Sequence, residues 1–172
     1  MIKEAVDASL AHLRAAVAWA QSVPEPLAVL ESRLAASAAA FDAGEGWAFT
    51  IFDANESTVL GAVGLEPAEP ALAALVGPAT LETGYWLRTT ATGHGYATEA
   101  TVAIVELAFT KLGARRVAIC HDPENAPSAG IPRRLGFKCV GTVADALLPG
   151  RLSPDGSLRP ATTVWVIDAH NA

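Results

Sequence analysis

The chain has 172 residues, and 51% of them are hydrophobic, which is sufficient for one domain with a substantial core. Eighteen acidic and twelve basic residues give a formal net charge of −6, and lysine and arginine form no continuous stripe, so we expect no binding to nucleic acid or to a membrane surface. No uncharged apolar run is long enough to span a bilayer, and charged residues at positions 3, 4 and 7 interrupt any signal-peptide pattern, so we predict a cytoplasmic protein.

The N-terminal third of the chain has helical periodicity. Apolar residues from Ile2 to Val17 recur at spacings of three and four, which predicts a first amphipathic helix. The segment SVPEP at 22–26 ends this pattern, and a second apolar face then extends from Leu27 to Phe41. Gly44 follows closely, so we expect the second helix to end there.

The pattern changes to β-strands after the second helix. The segments WAFTIFD (47–53) and TVLGAVGL (58–65) are separated by a turn sequence, which predicts a β-hairpin. Residues 66–79 contain three prolines, and we predict a loop there. A third strand is predicted at 81–88. The helix predicted at about 95–112 is apolar nearly all round, as expected for a helix packed against a sheet.

The C-terminal part alternates strands with one short helix. We predict strands at 115–121, 137–147 and 161–168, and a short helix within 125–136. The element order ααβββαβαββ therefore predicts a single α/β domain with a mixed sheet over residues 1–172.

The two cysteines are separated by 18 residues and lie in apolar, strand-like runs. We expect Cys120 and Cys139 to be reduced core thiols, because no second pair of cysteines or histidines supplies the spacing of a metal site. The sequence therefore predicts no bound metal.

The segment GYWLRTTATGHGYATEA (84–100) contains a glycine-rich junction between the third strand and the long helix. The first N–H groups of a helix have no intrahelical partner and carry partial positive charge, which favours anions. Gly93 and Gly95 allow a positive φ and the close approach of a ligand. The junction is thus either a phosphate-binding site or simply a tight turn. It matches neither standard nucleotide motif, because Thr98 replaces the last glycine of G-x-G-x-x-G and no lysine follows the glycines.

Two separated segments, ETGYWLRTTATGHGYATEA and NAPSAGIPRRLGF, together resemble the GNAT superfamily of acetyl-CoA-dependent N-acetyltransferases. Within it they are most similar to the branch that acetylates the N-termini of ribosomal proteins. The resemblance implies a mixed, mostly antiparallel central sheet flanked by helices. The strand that usually opens this fold has no counterpart before the first predicted helix. Either translation starts upstream, or the sheet has an open edge that invites a homodimer.

The resemblance also implies residues that bind acetyl-CoA. The superfamily loop has the pattern Q/R-x-x-G-x-G/A, and Thr90 stands at its first position. The two strands at 81–88 and 115–121 would splay apart to admit the pantetheine arm. Main-chain groups of Leu87 and Arg88 would pair with this arm, and the Arg88 side chain either contacts phosphate or is solvated. The residues expected to surround the pyrophosphate lie at the helix start: Gly93, His94, Gly95, Tyr96, Ala97 and Thr98.

The second segment carries the predicted catalytic residues. Asn125 and Ser128 match the superfamily motif, whereas Pro132 stands where many members have the tyrosine that protonates the leaving thiolate. By resemblance this role would pass to Ser128. Helix capping is the alternative for Asn125 and Ser128. Glu82 would act as a base through water or be a strand-edge carboxylate without a role, and His121 is either a second candidate base or a loop hydrogen-bonding group.

The predicted acceptor is an amine, either a protein N-terminus or a small molecule. Because no strong base stands out, we expect a preference for weakly basic α-amines. By resemblance, Trp19 and the stretch 146–159 are candidates for shaping the acceptor site, and a half-buried core residue is the alternative for Trp19. Two alternatives stay open: a catalytically silent acyl-CoA-binding domain, and a transferase that uses a longer acyl-CoA such as succinyl-CoA.

Overall fold

A computed structural model of the chain describes residues 1–144, 146–149, 151–153, 155 and 157–169. The helices of the described part are α1 (Ile2–Asp7), α2 (Leu10–Arg14), α3 (Leu27–Ala43), α4 (Pro70–Val76), α5 (Tyr96–Thr110) and α6 (Ala126–Arg134). Short 3-10 turns occur at Ala18–Ser22 and Thr89–Ala91. The strands are β1 (Trp47–Phe52), β2 (Val59–Pro67), β3 (Thr80–Leu87), β4 (Arg116–His121), β5 (Lys138–Ala144) and β6 (Ala161–Asp168).

The described strands form one six-stranded sheet in the order β1-β2-β3-β4-β6-β5. Only β3 and β4 are parallel, because α5 connects them as a crossover, and all other neighbouring strands are antiparallel. The predicted mixed, mostly antiparallel sheet is therefore confirmed. β1 lies at one edge, and no described strand pairs with its outer side.

Helix α5 packs on one face of the sheet and forms the largest hydrophobic core. Its residues Ile104, Val105 and Ala108 contact strand residues such as Leu65 and Val117, all of them buried. A buried leucine or isoleucine contributes about 1.5–3 kcal/mol, which explains why an almost entirely apolar helix is stable here. On the opposite face lie two smaller clusters, one around α4 and one where the N-terminal helices pack against Trp86.

The prediction of one continuous N-terminal helix is wrong, because the chain breaks between α1 and α2. Ser9 lies at this break and is only 2% exposed. Its hydroxyl accepts a hydrogen bond from the N–H of Thr89 at 3.1 Å, so a tertiary contact replaces the helical continuation. This contact ties the N-terminal helices to the end of β3.

The predicted loop at 66–79 contains helix α4, so that prediction is also wrong in part. Pro70 occupies the first helical position, where its missing N–H costs nothing and its fixed φ favours the helix. Leu72 of this helix is fully buried, and its burial further stabilises this short helix.

Both cysteines are free thiols, as predicted, but only one approaches the core. Cys120 is half-buried, whereas Cys139 is exposed, because β5 is the outermost strand of the sheet. The predicted burial of Cys139 is therefore wrong. Over the described residues, every helix is too short or too polar to cross a membrane.

Candidate active site

Strands β3 and β4 separate part-way along their length, as the sequence predicted. Their parallel pairing begins at Thr80 and Arg116 and ends at Thr83 and Ile119. Beyond this point the two strands continue without pairing with each other. A cleft of about 1650 Å³ opens there, between the ends of the two strands and the first turns of α5 and α6.

The open edge of β3 presents free main-chain groups to this cleft. Arg88 donates its N–H to the carbonyl of Leu60 at 2.7 Å, so its main chain faces β2. Because main-chain groups alternate in direction along a strand, the N–H and C=O groups of Trp86 also face β2. Those of Tyr85 and Leu87 face the cleft. Leu87 is therefore placed where the sequence prediction requires an unpaired N–H.

Arg88 does not contribute as predicted. Its N–H is bonded to Leu60, and its carbonyl accepts the N–H of Ala91 at 2.9 Å. Its guanidinium forms an ion pair with Glu4 at 2.9 Å and lies outside the cleft lining. The expectation that main-chain groups of Arg88 pair with a ligand is therefore corrected, because the N–H and the carbonyl of Arg88 already form hydrogen bonds within the protein.

The glycine junction has the predicted geometry. Gly93 and Gly95 have φ values of +78° and +89°, which other residues adopt only with strain. A Cβ atom at either position would meet no heavy atom within 4 Å, so the space above both glycines is open. Gly95 caps α5 without a side-chain hydrogen bond, the first N–H groups of the helix have no intrahelical partner, and Gly95, Ala97 and Thr98 line the cleft.

The aromatic side chains at this helix tip contact each other. His94 stacks on Tyr96, with ring centroids 5.9 Å apart and an interplanar angle of 19°. His94 Nδ1 also lies 2.8 Å from the carbonyl oxygen of Thr92. Main-chain groups of Tyr96, Ala97 and Thr98 are therefore the contacts that this tip offers to an anion.

Arg134 is a cation at the helix tip whose contact the sequence did not reveal. Its Nη2 donates to Thr98 Oγ1 at 3.0 Å, so the hydroxyl proton of Thr98 is free to point elsewhere. Arg134 lies at the end of α6, and both residues line the cleft. A cation here favours a bound anion beside the N–H groups of α5.

Ser128 lies at the start of α6 and is held by two neighbours. Asn125 caps the helix by accepting the N–H of Ser128 at 3.1 Å, which confirms the capping interpretation for Asn125. The hydroxyl of Tyr85 lies 3.1 Å from Ser128 Oγ and donates to the Ser128 carbonyl at 3.2 Å. Burial raises the pKa of Tyr85, and the hydrogen bond to Ser128 opposes this only in part. Tyr85 thus stays a neutral hydroxyl beside Ser128.

Glu82 is held in an ion pair. Both of its carboxylate oxygens accept hydrogen bonds from Arg151, at 2.5 and 2.7 Å, and Arg151 also contacts Glu69 at 2.8 Å. Burial by itself would lower the pKa of Arg151, but the hydrogen bonds and charge of Glu82 outweigh it and raise this pKa. Both oxygens of the Glu82 carboxylate are therefore occupied by Arg151.

His121 uses both ring nitrogens. It is 6% exposed, accepts a hydrogen bond from Trp165 Nε1 at 2.9 Å, and places Nδ1 2.7 Å from the carbonyl of Asp122. This arrangement requires the proton on Nδ1 and leaves no lone pair for a substrate. Of the two interpretations of His121, the structure favours the hydrogen-bonding group.

Cys120 lies in the cleft wall beside Glu82. Burial, and then the charge of Glu82, raises the pKa of this thiol well above its usual range. A protonated thiol is a poor nucleophile, so Cys120 is not poised to attack a ligand in this cleft.

The other end of the cleft is aromatic and apolar. Trp19 and Trp86 pack edge to face, with ring centroids 5.9 Å apart. Both line the cleft with residues from the first part of the chain, which agrees with the predicted place of Trp19. From the stretch 146–159, Leu152 and Arg159 line the cleft, whereas residues 150, 154 and 156 lie outside the described part of the chain. Within that part, no group of three or more histidine, cysteine, aspartate or glutamate side chains could hold a metal ion.

Comparison with known proteins identifies a family that matches most of the chain. Residues 3–138 match the acetyltransferase (GNAT) domain family. The chain is also 38% identical over 66 residues to YdaF of Bacillus subtilis (strain 168), which is named as a candidate ribosomal N-acetyltransferase. The aligned segment covers 38% of this chain and 36% of YdaF, so the match spans little more than a third of that relative.

Solved structures resemble the fold over nearly the whole chain. RimL, a ribosomal L7/L12 α-N-protein acetyltransferase in complex with coenzyme A, has a TM-score of 0.79 and 17% identity, covering 97% of this chain and 86% of its own. Mycobacterium smegmatis RimJ, in complex with a CoA disulfide, has a TM-score of 0.79 and 21% identity, covering 98% and 76%. At these identities the likeness establishes the fold alone.

Proposed function

Because this chain belongs to the GNAT acetyltransferase family, we propose that it transfers an acetyl group from acetyl-CoA to an amine. The observation that carries the proposal is the combination, in one cleft, of the glycine-exposed tip of α5 with the unpaired edge of β3. The first feature suits a pyrophosphate and the second suits an amide-rich arm that adds like a strand. Coenzyme A contains both.

The residues that would hold acetyl-CoA follow from these contacts. The main-chain N–H groups of Tyr96, Ala97 and Thr98 would bind the pyrophosphate, and Gly93 and Gly95 give it room. Arg134 would add a positive charge beside Thr98. Main-chain groups of Tyr85 and Leu87 would bind the pantetheine arm. Bound acetyl-CoA would supply an activated acetyl thioester, from which the amine takes the acetyl group as a C–N bond replaces the C–S bond.

Two protein groups would assist this exchange. The N–H of Leu87, on the open edge of β3, would donate to the thioester oxygen and stabilise the negative charge that develops there. Ser128 would hold the proton for the departing sulfur, and Tyr85 keeps the Ser128 hydroxyl oriented. A thiol pKa of about 8.5 makes this a modest demand on a neutral hydroxyl.

We propose that the acceptor is an α-amine, either at the N-terminus of a protein or peptide or on a small molecule. Glu82 and His121 are both engaged by other side chains, so neither is free to deprotonate a strongly basic amine. An α-amine has a pKa near 7.8 and a lysine side chain one near 10.4, which is a difference of about 3.5 kcal/mol in the cost of deprotonation. The name of YdaF agrees with transfer of an acetyl group to a nitrogen atom.

A pair of peptides tests the acceptor class. One has a free N-terminus and no lysine, and the other has a blocked N-terminus and one lysine. We expect acetylation of the first to be at least about 100-fold faster at pH 7, measured by mass spectrometry, because of the pKa difference. Faster acetylation of the lysine peptide would contradict the proposal.

A catalytically silent acyl-CoA-binding domain is the second candidate, and the engagement of both Glu82 and His121 favours it. Calorimetric titration with acetyl-CoA, followed by a free-thiol assay with a panel of amines, separates the two functions. Tight binding without thiol release for any amine would establish the silent domain. Release that depends on the amine would establish the transferase.

We also propose that residues 1–172 act as one domain and associate as a homodimer. The outer side of β1 pairs with no described strand, and Phe49 and Phe52 on this strand are 36% and 40% exposed. Exposed strand edges favour pairing with a second chain. Light scattering should give twice the mass of one chain, and Phe49→Lys should give the monomer mass. A monomer at all concentrations would reject the dimer.

A further inference from the structure

Two arginines from the connection between β5 and β6 lie near the end of β4, and their surroundings differ. Arg151 contacts two carboxylates, Glu82 at 2.5 Å and Glu69 at 2.8 Å. Arg159 has one carboxylate nearby, that of Asp122, and its Nε lies 3.5 Å from the nearer oxygen. Arg151 therefore has two close carboxylate partners, whereas Arg159 has one at a longer distance.

Arg159 also has unused hydrogen-bonding capacity. Its side chain is only 13% exposed. Its Nη2 donates to the carbonyl of Leu152 at 2.7 Å, but its buried Nε has no hydrogen-bond partner among the described residues. A guanidinium has five N–H donors, and buried donors are normally paired. The free capacity of Arg159 is therefore unusual for a structural arginine.

The position of Arg159 connects this capacity with the cleft. Arg159 and Asp122 both line the cleft, and so does Cys120 at the end of β4. Asp122 directly follows β4, at the side where β3 and β4 have separated. Arg159 is thus part of the same cavity as the open edge of β3.

We infer that Arg159 binds a carboxylate carried by a substrate of this cleft. The inference rests on the proposed transferase function and names a chemical class for one of its substrates. The planar guanidinium fork matches a carboxylate with two parallel hydrogen bonds, which Asp122 at 3.5 Å does not provide. A substrate carboxylate would pair with the buried Nε and displace the weak contact with Asp122.

The burial of the guanidinium supports this assignment. Burial lowers the pKa of Arg159, and the charges of Asp122 and Glu82 oppose this effect only in part. Arg151 next to it adds further repulsion. An additional negative group would therefore be favourable at Arg159, whereas Arg151 already contacts two carboxylates.

The carboxylate has two possible sources. One is the distal end of a dicarboxylic acyl chain, as in succinyl-CoA. The other is a carboxylate of the amine acceptor, at its C-terminus or on a side chain. Both present the same group to Arg159, so the experiment has one arm for each source.

The first arm compares succinyl-CoA with acetyl-CoA. The second arm compares two pairs of acceptors that differ in one carboxylate: Ala-Asp-amide with Ala-Asn-amide, and Ala-Ala with Ala-Ala-amide. In each arm the dissociation constant is measured by calorimetry, with coenzyme A saturating in the second, and turnover is measured alongside. We expect the wild-type chain to prefer the carboxylate member of at least one pair by about tenfold or more. Arg159→Gln should remove this preference and leave affinity for the neutral member within about twofold.

Asp122→Asn is the second variant, because it removes the competing carboxylate and keeps an oxygen that can accept the N–H of Glu124. It should increase the preference for the carboxylate member several-fold, which is the opposite direction to Arg159→Gln. Arg33→Gln is the matched control, since Arg33 pairs with Glu25 on the exposed side of α3 and lies outside this cleft.

The outcomes separate the two proposals. If the wild-type chain shows no preference for the carboxylate member in either arm, the inference about Arg159 is wrong. It is also wrong if Arg159→Gln, like the control Arg33→Gln, changes the affinities for both members of a pair by the same factor. If the preference in binding is present but no amine is acylated, the transferase proposal fails and the carboxylate site stands.

Discussion

At the scale of single residues, the contact between Tyr85 and Ser128 has the clearest chemical consequence. A serine hydroxyl rotates freely unless a neighbour orients it, and here the neighbour is a phenol that burial keeps protonated. Asn125 fixes the main chain of the same residue. Ser128 is therefore held from two sides, as a proton donor to a leaving group should be.

Substitution of these two hydroxyls tests their roles. Ser128→Ala should lower kcat by about 100-fold or more if this hydroxyl is the proton donor. Tyr85→Phe should lower kcat by about 2–10-fold, since it removes one orienting hydrogen bond worth roughly 0.5–1.5 kcal/mol. KM for acetyl-CoA should change less than twofold in both, as steady-state kinetics will measure.

The double variant distinguishes positioning from a structural effect. If Tyr85 acts only through Ser128, Tyr85→Phe should have no further effect on kcat in the Ser128→Ala background. If Ser128→Ala kept the wild-type kcat, Ser128 would have no role in the mechanism.

At the scale of elements, the tip of α5 is the part proposed to bind the pyrophosphate of coenzyme A. Gly95 has φ near +89° and open space where a Cβ would stand. Gly113, just after the other end of α5, has φ of +67° and equally open surroundings. The two glycines carry the same backbone requirement, but only Gly95 lines the cleft.

This pair provides a matched test of the anion site. Gly95→Ala and Gly113→Ala should each lower the free energy of unfolding by a similar amount, about 1 kcal/mol, because alanine is strained at positive φ. Only Gly95→Ala should weaken coenzyme A binding, by about tenfold or more, as calorimetry will measure. Equal affinities in the two variants would show that the helix tip does not bind the cofactor.

At the scale of the whole molecule, the cleft connects parts that are distant in the chain. It takes residues from the N-terminal helices, from β3 and from the β5–β6 connection. Ser9 joins the first of these to the end of β3, and Arg151 joins the last to Glu82 in the middle of β3. A ligand that contacts several of these parts should stabilise them together.

Coenzyme A should therefore raise the midpoint of thermal unfolding. At a concentration about 100 times Kd, binding stabilises a protein by about 2.7 kcal/mol, which corresponds to roughly 5–10 °C for a chain of this size. Differential scanning fluorimetry will measure the shift, and Gly95→Ala should reduce it. An unchanged midpoint with wild type at saturating coenzyme A would contradict the proposed site.

The sequence alone determined the features that depend on local chemistry. The hairpin, the last strand at 161–168 and helix α5 follow from periodicity and turn residues, and all three are present with boundaries close to those predicted. The positive φ angles of Gly93 and Gly95 follow from the need for a tight turn before a helix. The family resemblance rests on the same two local segments, and the match over residues 3–138 confirms it.

Only the tertiary structure decided which groups are free to act. Glu82 meets Arg151 across 69 residues, Tyr85 meets Ser128 across 43, and Trp165 meets His121 across 44. The break at Ser9 likewise depends on a contact 80 residues away. Local sequence fixes backbone angles and amphipathic faces, because these depend on near neighbours. The state of a side chain depends on its partners, and folding brings those partners from distant parts of the chain.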